Sequence, residues 1–313
     1  MPQRWTAHEY GTPDELTLED FARGEAAPQQ VTVDVRASGI NPIDVKRLAA
    51  GPGERPAAPL TFGFEVAGVI AAIADGVEIG TGAARVGDPV IAFQIPDGYS
   101  TEVTTAAANV FAMPSRLSFP EAANLMLVGT TASELLRRSA VAAGDTVLVH
   151  GGSGSVGNSV VQQARLLGAR VIATGGAASL DRLEALGAEP VLYGPGLADR
   201  LRALAPSGID AALDTVGSDE AIQTSLEFVA DRGRIVSIAS RPAAEKYGFV
   251  YIGAGMPGTA EYRMAARPRI LELAGSGELA VHVARTFAFA DAPDALRLLE
   301  GGHTGGKLAL VRE

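Results

Sequence analysis

The chain has no cysteine. That absence removes disulfides, iron–sulfur clusters, thiolate zinc sites and cysteine nucleophiles together. Histidine is scarce as well: His8, His150, His282 and His303 are the four, and no two stand at metal-ligand spacing. No metal centre is expected. Lysine occurs three times, at Lys46, Lys246 and Lys307, which makes each one worth inspecting. No segment reaches the roughly 18 uninterrupted apolar residues of a membrane span, and the N-terminal stretch lacks the apolar core of a signal peptide. The expected location is the cytoplasm. A formal charge of −10 argues against nucleic acid or an anionic membrane as a general partner.

What is present points to two domains, because 313 residues exceed the usual size of one core. Valine- and isoleucine-rich runs at 30–37, 65–72, 88–93 and 99–104 are separated by turns such as Gly51-Pro52-Gly53 and Pro96-Asp97-Gly98. Strands at this spacing predict a barrel or sandwich. From Pro120 the pattern changes. A helical region over 121–139, broken near Gly129, precedes strands at 146–149, 171–174, 190–193, 209–214 and 234–238. Helices at 155–167, 180–186, 197–204 and 220–229 alternate with them, so the fold class is α/β with a doubly wound parallel sheet. An apolar strand at 249–252, a helix at 262–274, a strand at 285–289, a helix at 292–299 and a strand at 307–311 complete the chain.

The most informative segment is the apolar run ending at His150, followed by Gly151-Gly-Ser-Gly-Ser-Val-Gly157. Gly152, Gly154 and Gly157 fit G-x-G-x-x-G between a strand and a helix, the context in which that spacing carries weight. Without Cβ atoms the backbone can approach a pyrophosphate, and the helix start stabilises its charge. Gly152, Ser153, Gly154, Ser155, Val156 and Gly157 are therefore cofactor-binding candidates. His150 is read as capping its strand. An acidic residue about 20 positions further on would bind a ribose 2′-hydroxyl and mark NAD. Here the chain reads Ala173-Thr174-Gly175-Gly176, with no carboxylate, so a 2′-phosphate meets no repulsion. NADPH is the expected cofactor, with Thr174, Gly175, Ser179, Arg182 and Tyr193 around the phosphate. Val216, Ile238 and Ala239 end the fourth and fifth strands, where open α/β sheets bind ligands.

Further motifs cover essentially the whole chain. Gly39-Ile-Asn-Pro-Ile-Asp-Val-Lys-Arg47 resembles the N-P-x-D-x-K-R segment of zinc-independent quinone and enone reductases of the medium-chain dehydrogenase/reductase superfamily. Gly63-Phe-Glu-Val-Ala-Gly68, Val86-Gly-Asp-Pro-Val90 and Gly302-His-Thr-Gly-Gly-Lys307 are similar to other segments of that superfamily. The resemblance implies a GroES-like β-barrel domain, 1–118 with 259–313, and an inserted Rossmann-type dinucleotide domain at 119–258. It also implies an active site in the cleft between them. Phe64 stands where the zinc-dependent branch has a histidine. Without a Lewis acid, the fitting acceptors take hydride readily: quinones, or alkenes conjugated to a carbonyl.

The same resemblance implies catalytic roles for Asn41, Lys46 and Tyr99. Asn41 would line the nicotinamide cleft, with a turn before Pro42 as its plain alternative. Lys46 would bind the nicotinamide ribose or stabilise negative charge on the acceptor oxygen, or else be an exposed helix lysine. Tyr99 would wall the pocket or pack the core. Thr130 would bring a hydroxyl toward the nicotinamide, and Lys307 would bind cofactor phosphate or start a strand. His303 is read as a loop residue. Related reductases commonly carry a lysine where this chain has Ser179, and Arg182 would compensate.

The leading function is thus an NADPH-dependent oxidoreductase acting on a small-molecule quinone or enone without metal. An enoyl-thioester reductase of a biosynthetic pathway and a non-catalytic NADPH-binding protein are the alternatives. The thioester reading calls for a basic channel, and no lysine- or arginine-rich loop marks one. If the strand order follows the family, 249–252 lies at the sheet edge and predicts a homodimer.

Overall fold

Alternating valines dictate the long strand Gln30–Ile40, whose residues Val31, Val33 and Val35 all point into one buried cluster. The computed structural model describes residues 1–22, 24, 26–50, 59–253, 255–302 and 304–312. They divide into two units, one of residues 1–127, 271–277 and 281–313, the other of 128–270 and 278–280.

In the first unit the main sheet runs Val110–Ala112, Pro89–Phe93, Glu65–Ile73, Gln30–Ile40, Lys307–Val311, Val283–Ala288, and Glu102–Ala106 also pairs with Gln30–Ile40. Every pairing is antiparallel except that of the last two in the row. A smaller sheet of Leu16–Asp20, Gln3–Ala7 and Leu60–Thr61 accompanies a second core of Trp5, Phe62, Tyr99, Leu296 and Leu310. The Trp5 indole N–H donates to the Phe289 carbonyl at 2.8 Å, which satisfies its one polar atom inside that core.

The second unit holds a six-stranded parallel sheet. Its order is Glu189–Leu192, Arg170–Gly175, Thr146–His150, Ala211–Asp214, Ile235–Ser237, Val250–Tyr251. Both faces are covered: Val147 and Val149 lie in one core, Leu148, Ile172 and Ala212 in the other. Burial on two sides explains why these strands read as continuous apolar runs. Thr146–His150 stands where the strand order reverses, the position at whose C-terminal end open α/β sheets bind ligands.

Several sequence expectations shift. The helix Met126–Arg138 passes unbroken through Gly129, where a Cβ would come 2.7 Å from Ile270 Cγ2. That glycine serves close packing and is no break. The unit boundaries fall at 127/128 and 270/271 instead of at 118 and 259. Asn124 donates to the Leu308 carbonyl and Leu127 N–H to the Glu65 carboxylate, which ties 119–127 to barrel strands. Thr259 and Arg263 both bond the buried Glu134 carboxylate, which ties 259–270 to the other unit. The strands Gln3–Ala7 and Leu16–Asp20 and the helix Arg241–Tyr247 were not apparent from the pattern. The turn at Gly51-Pro52-Gly53 and the loop residue His303 lie outside the described residues.

Candidate functional site

Two groups of side chains hold the candidate chemistry, one in each unit. In the parallel-sheet unit, Thr146–His150 ends at Gly151, whose φ of 74° is the left-handed conformation that glycine adopts without strain. The turn is pinned to the neighbouring strand: Gly151 N–H donates to the Thr174 hydroxyl at 2.9 Å and Gly152 N–H to the Thr174 carbonyl at 2.9 Å. The helix Ser155–Leu166 starts at Gly154, and no side chain caps it there. Its first-turn N–H groups and dipole thus meet no competing side chain at the cap, as an anion would require.

The glycines differ in what they do. A Cβ on Gly157 would lie 2.1 Å from the Gly151 carbonyl oxygen and 2.8 Å from Gly152 Cα. Only glycine lets this helix sit against the turn. A Cβ on Gly154 would meet the Gly151 oxygen alone, at 3.3 Å, with open space otherwise. Gly154 is therefore bare on the side a ligand would approach. These features fit a pyrophosphate.

At the end of Arg170–Gly175, Gly175 is followed by Gly176, beside which lies the half-exposed Tyr193 ring. The Ser179 hydroxyl donates to the Gly176 carbonyl at 2.8 Å, and Arg182 donates to the Ser153 carbonyl at 3.2 Å. Ser153, Thr174, Gly175, Ser179, Arg182 and Tyr193 thus gather around one strand end, and no acid stands in the Thr174–Ser179 segment. Val216, Ile238 and Ala239 lie just after the strands Ala211–Asp214 and Ile235–Ser237. Their loops are held by the buried Asp214, which accepts from Val216 N–H and Gly217 N–H, each at 2.9 Å, and from the Ser237 hydroxyl at 2.6 Å. Ser237 in turn accepts from Ala239 N–H and Ser240 N–H. Sequence reading overlooked Asp214. An acid ending an otherwise apolar strand, Ala211–Asp214, was the available signal.

Thr130 lies fully buried in the helix Met126–Arg138. His150 is buried beside Asp214, and burial pulls its pKa down to about 4. It is neutral at physiological pH, in keeping with an end-of-strand residue and not with an acid catalyst.

In the barrel unit, Asn41 precedes the helix Pro42–Ala49, with proline at the first helical position. Asp44, three residues on, reaches back to accept from Asn41 N–H at 2.9 Å. Its carboxylate also accepts from Gly63 N–H at 3.1 Å and from the Tyr99 hydroxyl at 3.0 Å. The Asn41 side chain is only 1% exposed. Its Nδ2 donates to Glu65 at 3.2 Å, and its Oδ1 accepts from the Lys307 ammonium at 2.5 Å. Lys307 donates further to the Ile40 carbonyl at 3.0 Å and stands 3.9 Å from Glu65. Burial pushes the Asp44 and Glu65 carboxyls up and the Lys307 ammonium down, and the opposite charges work against each shift.

This placement bears on two residues whose roles were open. Lys307, read as a phosphate contact or the start of a strand, begins Lys307–Val311 and is buried with its ammonium committed to Ile40 and Asn41. Tyr99, read as a pocket wall or core packing, is fully buried in the core with its hydroxyl on Asp44, and burial followed by the Asp44 charge raises its pKa well above the usual phenol. Lys46 alone of the three catalytic candidates is exposed, on the helix that this network anchors. Asp44 and Glu65 were not singled out from the sequence. The Asn-x-x-acid spacing at 41–44 was the signal for the first.

Comparison with known proteins adds the following. The family model for the alcohol dehydrogenase GroES-like domain matches residues 27–185, and that for zinc-binding dehydrogenase matches 186–310. The quinone oxidoreductase of Salmonella typhimurium is 31% identical over 99% of this chain and 100% of its own length. A phenolphthiocerol/phthiocerol polyketide synthase of Mycobacterium tuberculosis is 31% identical over 96% of this chain, which spans 14% of that much longer protein. Among solved structures, the CurK enoyl reductase superposes with a TM-score of 0.86 at 27% identity, covering 99% of both chains. The zinc in one model's description does not suit this donor set. The chain has no cysteine, and among the described residues no three His, Asp or Glu gather to hold a metal.

Proposed function

The chain belongs to the medium-chain dehydrogenase/reductase superfamily, among its quinone oxidoreductase-like members, and from that premise we propose an NADPH-dependent reductase of quinones or carbonyl-conjugated alkenes that works without metal. The observation that carries this reading is the uncapped glycine turn beside a strand end that lacks a carboxylate. A bound nicotinamide supplies the hydride. Gly152, Ser153, Gly154 and the first turn of Ser155–Leu166 hold its pyrophosphate, and Thr174, Ser179, Arg182 and Tyr193 receive the 2′-phosphate. Hydride addition leaves negative charge on the acceptor oxygen. The Lys46 ammonium meets that charge. Asn41 contributes the Nδ2 hydrogen left over from its bond to Glu65. A quinone then takes its proton from solvent.

A second reading, reduction of enoyl thioesters, draws support from the polyketide synthase and CurK similarities. Among the described residues no helix is long and apolar enough to cross a membrane. Among the described residues Val250–Tyr251 pairs on one side only, within a sheet edge that a second copy would close, so we propose a homodimer.

Steady-state NADPH oxidation, measured on chelator-dialysed protein against quinones, enones and enoyl thioesters, tests the function. Turnover fastest with a quinone or enone and undiminished by the chelator is expected. Preference for thioesters would transfer the assignment to the second reading. Loss of activity restored by zinc would overturn metal independence.

A further inference from the structure

Resting on the role given to Asn41 and Lys46, we infer that Lys307 is a positioning residue: its ammonium, sealed inside the barrel unit, fixes the Asn41 carboxamide and the start of the helix that carries Lys46. The two ends of a carboxamide differ, one accepting and one donating. An ammonium can only donate and an ionised carboxylate can only accept. Lys307 therefore holds Oδ1, and Glu65 holds Nδ2. Turning the amide over would set like partial charges against both neighbours. The second Asn41 amide hydrogen is thereby aimed by charge and not by shape alone.

The backbone is held by the same side chain. Lys307 donates to the Ile40 carbonyl, and Asp44 accepts from Asn41 N–H, so the peptide joining Ile40 to Asn41 is fixed from both its polar atoms. Ile40 ends the strand Gln30–Ile40, Pro42 begins the helix, and Asn41 is the single residue between. A shift there turns the whole helix and moves Lys46 with it. The strand Lys307–Val311 comes from the far end of the chain, so the lysine joins elements that sequence neighbours cannot.

The charge balance predicts how the device fails. The titratable groups around Asn41 are Glu65, Asp44, Tyr99 and Lys307. Without the ammonium, Glu65 stays buried with only N–H donors around it, from Asn41, Leu127 and Met126, and its carboxyl rises further. A protonated Glu65 can donate to Asn41 Oδ1, and the amide turns over. As pH rises and Glu65 ionises, Nδ2 is drawn back into place.

Lys307→Met should lower kcat at least tenfold near neutral pH, with NADPH affinity within twofold of wild type. Its kcat should rise with pH across a titration that the wild-type enzyme lacks. Adding Glu65→Gln removes the buried carboxylate that faced the ammonium. The double variant should be more thermostable than Lys307→Met and should lose the pH dependence without regaining kcat. If the single variant fails to fold, the double variant still carries the test through its kcat against its NADPH affinity. Wild-type kcat in either variant overturns the inference, as does a kcat that falls with no new pH dependence in a folded Lys307→Met. Loss of NADPH binding with kcat preserved would return Lys307 to the cofactor site. Failure of the underlying role is distinguishable, because Lys46→Met and Asn41→Ala would then keep full turnover themselves.

Discussion

Gly154→Ala should fold with near wild-type stability and lose about tenfold or more in nucleotide affinity, on the order of 1.4 kcal/mol. Gly157→Ala should lose stability as well. The contrast follows from where each new methyl group goes. At 157 it strikes backbone, 2.1 Å from the Gly151 oxygen, so the helix must back away from the turn. Overpacking of that kind costs about 1–3 kcal/mol. At 154 it meets one oxygen at 3.3 Å and otherwise enters the space in front of the helix start. Harm to binding without harm to folding is the mark of a surface meant for a ligand. Thermal denaturation and fluorescence titration with NADPH separate the two outcomes. A Gly154→Ala protein that binds like wild type would move the pyrophosphate elsewhere.

Lys46→Met should lower kcat/KM by roughly 10- to 1000-fold, the range for losing one contact to a developing oxyanion. NADPH affinity should hold. Lys46 is exposed and among the described residues has no structural partner to lose, so the variant should also keep its stability. Asn41→Ala should show a comparable fall in kcat/KM together with lower stability. It strips the Oδ1 acceptor from the buried Lys307 and the Nδ2 donor from Glu65, and unsatisfied buried groups cost about 1–3 kcal/mol each. Full turnover in both variants would make these residues structural. Collapse of NADPH binding with kcat intact would place Lys46 at the cofactor.

The contrast between the two groups of residues also explains what the sequence made legible. The glycine turn, the strand before it and the helix after it are contiguous, and their periodicity and spacing pointed to the parallel sheet directly and to the proposed cofactor site. The strand end at 173–176 was readable for the same reason. The barrel network was not. Lys307 and Ile40 are 267 positions apart, and Asn41 and Glu65 are 24 apart in different elements. No local pattern reveals that such side chains meet inside a barrel. Tyr99 and Lys307 looked like site residues because they sit in motif segments, whereas tertiary burial gave their polar atoms to Asp44, Asn41 and Ile40. Gly129 misled in the opposite direction: its helix tolerates a glycine because Ile270 fills the missing side chain's place. The strands Gln3–Ala7 and Leu16–Asp20 are five residues each and pair with each other, too short a pattern to stand out in the sequence.

Central to the account is a glycine-lined strand end that takes a nicotinamide dinucleotide through its 2′-phosphate. Titration of the wild-type protein with NADPH and with NADH, followed by nucleotide fluorescence, tests it most directly. NADPH should bind at least tenfold more tightly, about 1.4 kcal/mol, modest for one charge-assisted phosphate contact. Arg182→Ala should weaken NADPH and leave NADH nearly unchanged. Equal affinities for the two nucleotides, or tighter binding of NADH, would contradict the reading.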